Sequence, residues 1–120
     1  MFYKTEERVP MAKDRLGQSE FLVLGLLARR ARGAHGTALL DDLEAVTGRQ
    51  WSVGALYTTL ERLEGKGFVA SAWGEPTAQR GGRRKRIFQV QAAGQRALER
   101  TRETRAAVDG ALGAARPVEA

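Results

Sequence analysis

Leu56, Leu60 and Leu63 recur at i, i+4 and i+7 in the stretch WSVGALYTTLERLEGKG, residues 51–67, and so fall on one face of a helix. Ser52 stands where a hydroxyl accepts a hydrogen bond from an unpaired amide of the first turn. Gly65 and Gly67, with Lys66 between them, supply the positive-φ and C-terminal-charge signals that end a helix. Opposite the leucines lie Gly54, Thr58, Glu61 and Arg62, with Ala55 and Tyr57 at the flanks. That small, polar surface suits a helix laid against something large and flat-sided, and Trp51 reads as a packing residue that sets its approach angle.

Two helices precede it. From Ser19 to about Ala31, Phe21, Leu22, Val23, Leu24, Leu26, Leu27 and Ala28 are apolar nearly all the way round, which predicts burial on more than one side. Gly25 inside it costs roughly 1 kcal/mol relative to alanine and is read as permitting a close helix approach. Gly33-Ala34-His35-Gly36 reads as a turn. The next helix, Thr37 to about Thr47, turns Leu39, Leu40, Leu43 and Val46 inward and Asp41, Asp42 and Glu44 outward, and Gly48 ends it.

After Gly67 the period shortens to two. Phe68–Trp73 and Lys85–Val90 read as strands joined by a turn-rich segment that holds Pro76, Gly81 and Gly82. The last helix is expected from about Ala92 to Ala114. Its best seam, Leu98, Thr101, Arg105, Val108 and Leu112, is heptad-spaced with only three apolar members, so it needs a partner: the body of the domain or a second copy. Residues 1–15 show no periodicity and are read as a flexible arm or marginal helix; residues 115–120 are expected to fray.

Composition sharpens this picture. The 120 residues fit one domain, and 20 basic against 14 acidic residues give a net charge of +6, which points first to nucleic acid. The charge is localised: Arg80, Arg83, Arg84, Lys85 and Arg86 against Glu75 place a net +4 on the hairpin loop. There is no cysteine, which excludes disulfides and thiol chemistry, and the single histidine, His35, cannot build a catalytic triad or a metal site. Three acids on the second helix read as a solvated face, a divalent metal site being the sharper alternative. No cofactor is expected, nor an enzyme. Phe21–Ala28, the longest apolar run, is too short to cross a bilayer, so no membrane partner and a cytoplasmic location are expected.

Three helices followed by a hairpin with a cationic tip give a mainly α fold with a small β-hairpin: a winged helix-turn-helix over residues 16–90 plus a C-terminal helix over 91–114. In that arrangement the 51–67 helix enters the major groove of double-stranded DNA. The expected contacts are Ser52, Gly54, Tyr57, Thr58, Arg62 and Lys66 on the helix and Arg80, Arg83, Arg84 and Lys85 on the wing.

The chain also resembles the PadR family of bacterial transcriptional regulators. The resemblance rests on Leu24-Gly25-Leu26-Leu27, His35-Gly36, Trp51 to Tyr57, Leu60 to Gly67, the wing Gly81 to Arg86 and the Ala93-Gly94 step, within residues Leu16 to Leu112. It implies a homodimeric repressor whose C-terminal helix makes much of the dimer, here through Leu98, Thr101, Arg105, Val108 and Leu112. It also implies DNA contacts by Tyr57 and the wing basics. Some relatives sense small-molecule inducers, but no residue here identifies one. Thr37 replaces the aromatic usual after histidine-glycine, and Gln91 stands where a threonine cap is usual, predicting a weakly capped last helix. The competing function is a winged-helix module that docks an acidic protein partner.

Overall fold

The computed structural model describes residues 15–74 and 85–113. Helix α1 spans Gln18–Ala28 and stops three residues short of the expected end, because the chain must turn into a strand. The stretch read as a turn holds that strand: β1, Ala34–His35, sits at the edge of a small antiparallel sheet. Helix α2 is Gly36–Thr47, α3 is Val53–Gly65, β2 is Val69–Trp73, β3 is Arg86–Val90 and α4 is Ala92–Leu112. The sheet order is β1-β3-β2. Ala34 lies opposite Phe88 in one pairing, and Val69 opposite Val90 to Trp73 opposite Arg86 in the other. A two-residue strand escapes a period-based reading, since pairing partners fix it rather than its own pattern.

Helix α1 is the central rod, apolar on several sides as its composition requires. Val23, Leu24 and Leu27 of α1 meet Leu39 and Leu43 of α2, Leu56, Leu60 and Leu63 of α3, Phe88 of β3 and Leu98 of α4 in one core from which water is excluded. Val46, expected inward on α2, is exposed. It lies in the last turn of α2, past the part of the helix that the core covers.

Polar groups fasten the ends of the elements. The carboxylate of Glu20 accepts the Gly17 amide at 2.8 Å, satisfying the start of α1. His35 caps α2 by accepting the Ala38 amide at its Nδ1, 3.4 Å away. Gly48 ends α2 in the left-handed conformation, φ 73°. Arg30 grips Asp42 through two bonds of 2.8 and 2.9 Å, ties the end of α1 to α2, and holds the Asp42 carboxyl below its ordinary pKa. Asp42 is therefore occupied by an arginine, which removes it from any metal-binding trio on this face.

The start of α4 lacks a side-chain cap, as Gln91 predicts, but tertiary structure compensates. The carbonyl of Phe68 accepts the Gln91 amide at 2.8 Å. That carbonyl lies so close over the first turn that a Cβ on Gly94 would fall 2.3 Å from its oxygen. Gly94 is the glycine that close packing demands. Gly25 is not: a Cβ there would meet Leu98 Cδ2 at an ordinary 3.9 Å, contrary to the close-approach expectation.

Candidate nucleic-acid interface

Helix α3 keeps the N-cap its sequence calls for. Ser52 Oγ accepts the Ala55 amide at 3.0 Å, and Trp51 packs half-buried against the core immediately before it. Thr59 turns inward, its hydroxyl donating to the Ala55 carbonyl at 2.9 Å. With the three leucines buried, the opposite face is left to solvent, and it carries Ser52, Gly54, Ala55, Thr58, Glu61 and Arg62. Ser52, Gly54, Thr58 and Arg62 border one shallow cleft of about 520 Å³, joined by Arg49 and Gln50 from the turn after α2. A Cβ on Gly54 would meet nothing within 4 Å, so the fold itself leaves that spot bare.

Tyr57 sits at the flank. Its ring meets Phe88 edge-on, centroids 5.9 Å apart, and its hydroxyl end lies where a Cβ on Gly36 would come within 2.6 Å. The glycine after His35 is therefore what lets Tyr57 lie across the start of α2. A second cleft of about 280 Å³ opens beside it, lined by His35, Gly36, Thr37, Tyr57, Trp73, Lys85 and Arg86. The structure thus brings Tyr57 and Lys85, 28 positions apart in the sequence, to one cleft at the positive end of α2. Thr37 contributes a short polar side chain to its lining.

Two basic side chains go elsewhere. Lys66 does not face outward: its ammonium lies 2.9 and 2.8 Å from the two oxygens of Glu20 and 2.9 Å from the Arg15 carbonyl. Burial pushes the Glu20 carboxyl up, but the Lys66 hydrogen bond, the Gly17 amide and the charges of Lys66 and Arg62 outweigh it. The pKa lies below the ordinary value. Arg86, counted with the wing charge, donates to Glu64 at 2.8 Å and to Ser71 at 3.0 Å, with its guanidinium 4.9 Å from the Phe88 ring centre. It holds β3 to α3. Arg80, Arg83 and Arg84 lie outside the described residues.

The expected dimer seam divides. Leu98 is fully buried in the protein's own core and cannot serve a second chain. Thr101 is half-buried, donating to the Ala97 carbonyl at 2.8 Å. Arg105 bonds Gln18 at 2.8 Å and lies 4.2 Å over the Phe21 ring, back on α1. Val108 and Leu112 project into solvent, 47% and 77% exposed. The sequence pattern missed Arg49 and Gln50 because turn residues carry no periodic signal.

A family model for PadR-like transcriptional regulators matches residues 23–100, most of the described fold. The chain belongs to the PadR-like family of transcriptional regulators. Among solved structures, a PadR-family transcriptional regulator from Eggerthella lenta is 25% identical, with a TM-score of 0.62 over 79% of this chain and 80% of that one. A PadR-like transcription factor from Bacteroides fragilis shares the fold at 17% identity and a TM-score of 0.69, covering 80% and 87% of the two chains. A PadR-family regulator from Clostridium difficile does so at 21% identity and 0.58, covering 81% and 100%. No curated protein matches the chain. Among the described residues of this PadR-like regulator, no helix is long and apolar enough to cross a membrane.

Proposed function

We propose that this regulator is a cytoplasmic, homodimeric repressor that binds an inverted-repeat operator in double-stranded DNA. The observation that carries the reading is the solvent-facing side of α3 from Ser52 to Arg62, flanked by the cleft where Tyr57 and Lys85 meet. Helix α3 enters the major groove, while the wing, including Arg80, Arg83, Arg84 and Lys85, binds phosphate. Tyr57 and the start of α2 face the backbone at the same edge. The exposed Val108 and Leu112 on α4 support pairing with a second copy, which sets two half-sites about one helical turn apart.

Gel-shift titration of the Arg83, Arg84 and Lys85 triple alanine variant tests the wing. Affinity at physiological salt should fall steeply, and an unchanged affinity would overturn the wing's role. Salt-insensitive capture of a protein partner, with no DNA bound, would favour a docking module instead.

A further inference from the structure

Helix α3 begins with an exposed apolar side chain that the core does not use. Val53 is the first residue of the helix, three positions ahead of Leu56, in line with Leu56, Leu60 and Leu63. Those leucines are fully buried, yet Val53 is 58% exposed. Packing does not call for valine there, and a β-branched residue is a poorer helix former than alanine.

The residues that follow Val53 toward the cleft are small, although Arg49 and Gln50 of the preceding turn border the same cleft. Gly54 has no side chain and open space beyond it, Ala55 offers a methyl, and Thr58, one turn beyond Gly54, offers a methyl and a hydroxyl; Tyr57 lies one turn beyond Val53 itself. The Ser52 hydroxyl is engaged by the Ala55 amide. This turn is thus rich in methyl groups and poor in long donors. In the major groove the apolar feature that distinguishes one base from the others is the 5-methyl of thymine.

We propose that the first turn of α3 reads thymine through its 5-methyl group, with Val53 as the contact and Gly54 letting the backbone come close. This rests on the reading of α3 as the major-groove helix, whose N-terminal residues face the base edges. A·T pairs with thymine on the contacted strand are then favoured at one fixed position in each half-site.

Duplexes enriched from a random library by the wild-type protein provide the probe. Each thymine is replaced in turn by uracil, which removes only the methyl group. One replacement per half-site should weaken wild-type binding about fourfold, the contribution of roughly one buried methyl. For Val53→Ala, whose thermal melt should match wild type because the side chain is exposed, the same replacement should be neutral.

A Val53→Ala protein that keeps the full uracil sensitivity overturns the inference. So does a uniform loss on all duplexes with the sensitivity unchanged, which would make Val53 a shaper of the helix. A wild-type protein that enriches no duplex defeats DNA reading itself and this inference with it, and is recognised by the absence of any wild-type complex.

Discussion

The ammonium of Lys66 lies 2.8 Å from a carboxylate oxygen of Glu20, 46 positions earlier in the chain, and joins the end of α3 to the start of α1. Both side chains are mostly shielded from water, 19% and 11% exposed, so neither can lose its partner without leaving a poorly solvated charge. Lys66→Met should therefore cost about 2 kcal/mol in urea unfolding. A DNA affinity that falls while stability holds would instead return Lys66 to the outer surface.

The same pair sets an acid dependence. Folding lowers the Glu20 pKa below its unfolded value near 4.5, so in that range the unfolded chain binds more protons than the folded one. The stability contributed by Glu20 is fully present above that unfolded value and is lost as pH falls through the folded pKa. Melting temperatures measured from pH 7 to pH 3 should drop less steeply for Glu20→Gln than for wild type. Equal slopes would show that the pair does not control acid unfolding.

Two helical glycines should respond in opposite directions. Gly94→Ala drives a methyl into the Phe68 carbonyl, 2.3 Å away, and should destabilise by about 3 kcal/mol or more. Gly25→Ala meets only Leu98 Cδ2 at 3.9 Å and should be neutral or gain up to about 1 kcal/mol from helix propensity. Thermal unfolding of the two variants decides it, and a destabilised Gly25→Ala would restore the close-approach reading.

Adjacent basic residues at the start of β3 should separate stability from DNA binding. Arg86→Ala loses Glu64, Ser71 and the face of Phe88, and should cost about 1–2 kcal/mol. Lys85→Ala should leave the melting temperature unchanged while making the log–log salt slope of DNA binding shallower by about 0.9 per site. An unaltered slope would remove Lys85 from the phosphate contacts.

Along α4 the same division holds between core and second copy. Leu98→Ala should cost about 2–5 kcal/mol, because it empties a fully buried site. A Val108→Ser, Leu112→Ser double variant should keep its fold yet shift sedimentation equilibrium toward monomer. A dimer that withstands both substitutions would place the interface elsewhere.

The periodic elements of this protein were legible from its sequence alone. A leucine every third or fourth position commits α2 and α3 to one buried face, the all-round apolar α1 must be central, and a two-residue alternation marks β2 and β3. Ser52 was equally legible as a cap, since capping is a local bond between neighbours. What only the tertiary structure decided are meetings between distant residues. They include Lys66 with Glu20, Arg86 with Glu64, Leu98 with the core, the two-residue β1, the demand for glycine at 94, and the exposure of Val53 and Val46. Charge and hydropathy say what a side chain prefers. Which partner lies within 3 Å, and where the core stops, depend on how the helices pack, and one-dimensional periodicity does not encode that.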